Sequence, residues 1–332
     1  DVAVLRPVHG DAAGVGGDGG AVGDYPWGLM AKTREIKKRI KAVGNIRRIT
    51  KTMQMIATSK FARAQAAATA TKPYTEGLFG LVTELAATVS GGEVTHPLIA
   101  GPAKLKPGAS ELTLSLTSDR GLCGPYNGAV LRTAMGLLRS NAAAKGGRVE
   151  IVGKKGAAFL RYTGVKVAQQ HAIGDKPTFE RIEKLAQGYI DAFVAGEISV
   201  VRVVFMRFVS AGRQVPDTLQ LLPLKPSELK VSGKGSAPAG GEKAAGNVLY
   251  EFSPPAEELL GDLLPATVKA VLFQCFNDAI VSEHVARMVA MKAATDNAGK
   301  MRKLLTRDYN RARQAAITTE LGEIIAGAAA LG

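Results

Sequence analysis

Ala31–Lys60 reads AKTREIKKRIKAVGNIRRITKTMQMIATSK. Within it Ile36, Ile40, Val43, Ile46, Ile49, Met53 and Ile56 follow one another in steps of three or four. That spacing lays one apolar stripe along a helix. Only Gly44 interrupts the pattern before Pro73, and it resumes at Leu78, Leu81, Val82 and Leu85. A helix over 31–88 would be roughly 80 Å long at ~1.5 Å per residue, too long for an ordinary globular domain. Pro73 predicts a break or kink in it.

The far end of the chain matches this helix. After Pro254-Pro255, helical spacing holds through Val281, Val285, Met288, Met301, Leu304, Leu305, Tyr309, Ile317, Leu321 and Ile324. Pro265 falls in its first turns or marks a short break, and Gly299 is its main weak point. Two such helices bury their stripes most simply against each other, as an antiparallel coiled coil. Ala290, Ala293, Ala294, Ala312, Ala315 and Ala316 permit close approach. The steps are not strict heptads, so a loose supercoil is expected.

Between the two ends, strands and helices alternate. Strands are predicted at 111–117, 148–152, 165–169, 199–208 and 218–222. Helices are predicted at 124–140, 154–162 and 178–195. The alternation indicates a small Rossmann-like α/β domain around a mostly parallel sheet. The fold class is therefore α+β with an α/β core: an antiparallel coiled coil of long terminal helices plus that domain. The expected divisions are a disordered leader at 1–29, a coiled-coil helix at 30–88, the α/β domain at 89–253 and a second coiled-coil helix at 254–332. Residues 231–246 (VSGKGSAPAGGEKAAG) read as a flexible surface loop. The Gly-rich, acidic leader fits neither a transit peptide nor a secretory signal, and Met30 is a candidate natural start.

Composition narrows the function. The chain has 332 residues, 46% of them hydrophobic, enough to bury a core. Two cysteines, Cys123 and Cys275, exclude a disulfide framework, and four histidines make a His-built metal site a poor expectation. No run of about 18 apolar residues predicts a membrane span. The net charge of +14 is uneven: over 31–65 eleven basic residues stand against Glu35 alone, whereas residues 1–30 are net acidic. Such a one-signed face suggests an anionic partner. Nucleic acid is one candidate, but Phe61 is the one aromatic in the segment and offers no stacking platform.

Few motifs point to catalysis. Gly14, Gly16 and Gly19 form a G-x-G-x-x-G outside any strand-to-helix context, which composition alone explains. No G-x-x-x-x-G-K-[ST], H-E-x-x-H or G-x-S-x-G occurs. Ser118–Gly124 (SDRGLCG) follows the first strand, where α/β folds place ligands. Cys123 is a candidate nucleophile there, against the plainer reading of a small buried residue in a tight turn.

Four blocks carry a resemblance: Ile49–Lys60 (ITKTMQMIATSK), Thr117–Gly124 (TSDRGLCG), Glu283–Asn297 (EHVARMVAMKAATDN) and Ala312–Ala330 (ARQAAITTELGEIIAGAAA). In this order they resemble the gamma subunit of F-type ATP synthases, from about residue 31 to the C-terminus. The resemblance implies a central rotor shaft. Its terminal helices enter a hexamer of alpha and beta subunits, and its α/β domain sits with an epsilon subunit on a ring of c subunits. It implies one copy per complex, no catalysis, no cofactor and no metal. It also implies that proton flow is coupled to ATP synthesis or hydrolysis, and that the basic stretch meets acidic loops on beta. By motif, Met53, Arg287, Arg313, Gln314, Thr318 and Glu320 are implied contacts with the catalytic head. Tyr250 and Glu251, in LYEF, are implied near the c-ring. For Met53 and the rest, helix packing or a solvated charge is the plainer alternative. The chain departs from the pattern at Gly124-Pro125-Tyr126, and it lacks the paired-cysteine insertion of chloroplast members. The expected location is therefore peripheral, on the cytoplasmic face of a bacterial inner membrane, ahead of the mitochondrial matrix side. The alternative function is a basic coiled-coil nucleic-acid-binding protein.

Overall fold

A computed structural model describes residues 26–89, 96–102, 104–224 and 256–331. The elements are α1 (Pro26–Val89), α2 (Pro97–Ala100), β1 (Ser110–Leu116), α3 (Tyr126–Ser140), α4 (Ala142–Lys145), β2 (Arg148–Val152), α5 (Lys154–Tyr162), β3 (Gln169–His171), α6 (Phe179–Val194), β4 (Ile198–Ser210), β5 (Arg213–Leu222) and α7 (Ala256–Leu331). The loop read at 231–246 lies outside the described residues, as does most of the leader. α1 starts at Pro26, inside the segment read as leader; proline is well placed at a helix start because its missing N–H needs no partner there.

The sheet order is β3-β2-β1-β4-β5. β1 pairs in parallel with β2 and β4, and β2 with β3, whereas β5 returns antiparallel to β4. Right-handed crossovers from β1 to β2 and from β2 to β3 put α3 and α5 on one face. There Leu131, Leu138, Ala157 and Leu160 pack with Val149 and Ile151. The opposite face, with Leu112, Leu114 and Leu116, packs against α6 and the inner parts of α1 and α7. Two sequence expectations are corrected here. The third strand lies at Gln169–His171 instead of 165–169, because Val165 and Val167 pack against the α3–α5 side before pairing begins. α1 runs unbroken through Pro73. Pro73 is exposed, and so is Thr69, whose carbonyl loses its intrahelical donor at a position open to solvent.

The chain divides into two compact units, Asp1–Ile49 with Thr295–Gly332, and Thr50–Ala294. The second holds the sheet and its core. Within it α1 meets α7 at Thr71, beside Gln274 and Asn277. In the first unit the two helices meet where Arg47 lies against Gly299.

The covered line of α1 follows the isoleucine stripe only in part: Ile36, Ile40 and Met53 are half-covered and Val43 is buried, whereas Ile46, Ile49 and Ile56 are more than half exposed. Its buried positions are Val43, Thr50, Ala57, Ala68, Thr75, Leu78, Val82 and Leu85. On α7 the covered or half-covered positions beyond Ala290 are Met291, Ala294, Thr295, Ala298, Gly299, Leu305, Tyr309, Ala312, Ala316, Thr319 and Glu320. Met301, Leu304, Ile317, Leu321 and Ile324 are exposed. Small residues share the covered positions with Val43, Leu305 and Tyr309, while other large apolar residues stay in solvent. One apolar window of α7 reaches a mean hydropathy of 1.4, but 56% of it is buried against protein, which marks a core helix.

Candidate functional site

Two regions carry the residues singled out from sequence. The first is the helical unit of 26–49 and 295–331. Arg313, Gln314 and Thr318 are exposed there and Glu320 is half-buried. Thr318 Oγ1 donates to the Gln314 carbonyl at 3.0 Å, an i−4 bond within the helix that leaves both side chains on one face. Ile317 and Leu321 flank them, exposed. A groove of about 740 Å³ in this unit is lined by Arg47, Lys300, Arg302, Lys303, Asp296 and Thr306. Four cations against one acid make it strongly positive. The sequence reading placed the charge on the first helix alone; the run Lys300-Met301-Arg302-Lys303 is the signal that it extends to the second.

The second region lies within Thr50–Ala294, where the SDRGLCG loop meets α7. Met53, half-buried, belongs to this unit, with Met55 and Ile56 exposed beside it. Arg287 is largely enclosed, its side chain 12% exposed. It pairs with Glu283 at 2.7 Å. It also donates to the carbonyls of Gly121 at 3.4 Å and Arg120 at 3.3 Å. Burial raises the Glu283 carboxyl above its ordinary range, and Arg287 offsets part of that rise. His284 is pushed down to about 4, first by burial and then by the charge of Arg287, so it is neutral at pH 7. Gly124, at φ +56°, brings the loop backbone against Ala286 and Ala290 of α7. Leu122 takes φ +64°, uncommon for a residue with a branched side chain, and points its side chain into solvent. Asp119 caps α5 by accepting from the Lys154 N–H at 3.1 Å, and Asn127 Oδ1 accepts from the Ser118 N–H at 2.9 Å. The crevice that α/β folds offer to ligands at this end of the sheet is thus filled by the protein's own helix.

Cys123 is buried, beside Asn127 Nδ2 at 3.3 Å and Ser118 Oγ at 3.6 Å. Among the described residues, no histidine hydrogen-bonds Cys123, whose partners are Asn127, Ser118 and the Arg120 carbonyl. Tyr250 and Glu251 lie outside the described residues. Among the described residues, no group of three or more His, Cys, Asp or Glu side chains is arranged to hold a metal ion. The sequence did not reveal the ion pair of Lys60 with Asp175, since its members are far apart in the chain.

A sequence model of the ATP-synt family, described as ATP synthase, matches residues 32–331. The ATP synthase gamma chain of Rhodopirellula baltica is 40% identical over 304 residues, covering 91% of this chain and 99% of its own. That of Methylibium petroleiphilum is 40% identical over 307 residues, covering 91% and 100%. The chain belongs to the ATP synthase gamma-chain family. Solved structures share the fold. One chain of the Euglena gracilis mitochondrial ATP synthase OSCP/F1/c-ring assembly superposes with a TM-score of 0.60 at 19% identity, covering 91% of this chain and 95% of that one. A chain of the Tetrahymena thermophila mitochondrial ATP synthase central stalk/c-ring gives 0.51 at 21% identity, covering 74% and 99%. As a gamma chain, the protein is a component of the ATP synthase complex and a peripheral subunit of its F1 head on a membrane. Membership replaces the reading as a nucleic-acid-binding coiled coil, and the basic groove is a gamma-chain surface.

Proposed function

We propose that this chain is the central stalk of its ATP synthase, turning inside an alpha3-beta3 head and coupling transmembrane proton flow to ATP synthesis and hydrolysis, without catalysing either step itself. The observation that carries the reading is the outward-turned helical unit. Ile46, Ile49, Met301, Leu304, Ile317 and Leu321 are about half exposed or more and are left for another surface. Large apolar residues exposed in this number support a protein-binding role. It suits a shaft that meets similar surfaces in turn, because shallow apolar and polar contacts break and re-form without one fixed anchor. Coupling is then differential binding, each shaft position favouring one conformation of a catalytic subunit over another.

In this reading Met53, Arg313, Gln314, Thr318 and Glu320 contact the alpha and beta subunits, and the positive groove beside Arg47 takes acidic loops of beta. Arg287 acts through the loop it holds. Tyr250 and Glu251 lie on the epsilon and c-ring side. One copy serves each complex, peripheral on the cytoplasmic face of a bacterial inner membrane. The test is removal of Arg313–Gly332 in the reconstituted complex. Proton-driven ATP synthesis is expected to fall severely while the sheet domain stays folded by circular dichroism. Full coupled synthesis by the truncated chain would sink the assignment.

A further inference from the structure

Within Thr50–Ala294, a buried polar layer interrupts the packing of α1 on α7. Asn277 Nδ2 donates to Thr71 Oγ1 at 3.3 Å, and Thr71 Oγ1 lies 3.4 Å from Gln274 Oε1. Gln274 Nε2 in turn donates to Asp278 Oδ1 at 2.9 Å. Gln274 and Asn277 are each only 7% exposed. Around them the core is apolar: Val82 and Leu85 from α1, and Val271, Cys275, Phe276 and Ala279 from α7, share one cluster.

Apolar packing between such helices is degenerate. On the covered line of α1, Thr50 and Ala57, and Ala68 and Thr75, alternate at seven-residue steps, followed by the larger Leu78, Val82 and Leu85. Apolar contact rewards burial but does not demand one particular partner. A cross-helix amide and hydroxyl behave differently, because any slip leaves buried polar groups unpaired. A single buried polar position is known to fix register and pairing in coiled coils. Thr71 Oγ1 also lies 3.2 Å from the Ala67 and Ala68 carbonyls of its own helix, so the cross-helix part of the layer is chiefly the bond it accepts from Asn277.

We propose that the Thr71–Gln274–Asn277 layer is the register lock of the two long helices, holding α1 and α7 against axial slip. The layer is a positioning device: within Thr50–Ala294 it fixes which residues of each helix stand opposite each other. The lock is a property of the chain itself and stands or falls apart from the stalk assignment.

The test uses the full chain, spin-labelled at Gln65→Cys and Lys292→Cys, both exposed sites; the native Cys123 and Cys275 are buried. Double electron–electron resonance on this parent should give one narrow distance. Adding Thr71→Val with Asn277→Leu should produce a second population at a distance distinct from the parent's, with the melting temperature kept or raised. A single narrow distance identical to the parent's overturns the lock. If the double variant does not fold, Thr71→Val alone is read by the same two outcomes. Thr71→Ser, which keeps the hydroxyl, should keep one distance; splitting there also overturns the proposal.

Discussion

Lys60 of α1 and Asp175 of the β3–α6 loop meet at 2.6 Å across 115 residues of sequence. The bond from Lys60 holds the Asp175 carboxyl below its usual range. Both side chains are about a third exposed, so water screens the pair. A double-mutant cycle with Lys60→Met and Asp175→Asn should therefore give a coupling of about 1 kcal/mol or less, shrinking in high salt. A coupling several times larger in urea unfolding would show that the pair is effectively buried.

Arg287 should matter more. Its removal leaves Glu283 buried without a cation and two loop carbonyls without donors. Arg287→Ala is expected to lower stability by about 3 kcal/mol. Arg287→Lys should recover only part of that, since an ammonium does not reproduce the guanidinium fork. Hydrogen exchange across residues 118–124 should accelerate in both variants; an unchanged rate would show that the loop does not depend on α7.

Gly156 is a packing requirement. A Cβ there would come within 2.4 Å of Thr117 Oγ1 and 2.5 Å of Ile151 Cδ1. Gly156→Ala should cost at least about 2 kcal/mol despite the better helix propensity of alanine. Gly128→Ala, where nothing lies near the new carbon, is the control and should be neutral or stabilising. Thermal melts of the two variants decide it.

Asp278 and His284 pull the pH profile in opposite senses. Burial pushes the Asp278 carboxyl up to about 6. Between roughly pH 4 and 6 the folded chain then holds a proton that the unfolded chain has released, and stability falls as pH rises through that window. Glu283, also raised by burial, adds to this side. Burial and Arg287 push His284 down to about 4, so from about pH 6.5 to 4 the unfolded chain holds the extra proton and stability falls as pH drops. The parent should show a shallow profile. Asp278→Asn should steepen the acid loss by roughly 2–3 kcal/mol, and His284→Gln should expose the reverse slope. Urea titrations from pH 4 to 7 read both; parallel profiles for all three chains would refute the assignment.

Much of the architecture is legible in the sequence, for local reasons. β2 and α5 fall where alternation and helical spacing put them, because Gly153, at φ +95°, makes the sharp turn between them. β3 is misplaced because its position depends on pairing with β2, including the contact of His171 with Glu150 at 2.6 Å, which no local pattern encodes. The seam was misread for a different reason. Periodicity shows that the stripe residues of α1 share a helix face but does not say how far it is covered: Ile36, Ile40 and Val43 are at least half-covered, whereas Ile46, Ile49 and Ile56 stay exposed beside covered Thr50 and Ala57. Of the site, the basic stretch and the C-terminal polar residues could be read from sequence. The grip of Arg287 on Gly121, 166 residues away, is purely tertiary.

The outward-facing isoleucines and leucines also bear on the life of the chain before assembly. A two-helix element that leaves Ile46, Ile49, Met301, Leu304, Ile317 and Leu321 exposed gains little stability from folding alone, and it displays the apolar residues that chaperones and proteases recognise. A chain made in excess of its partners should be trimmed first from these helical ends, with the sheet domain surviving longer. The same outward face then acts as a timer, limiting how long an unincorporated copy persists.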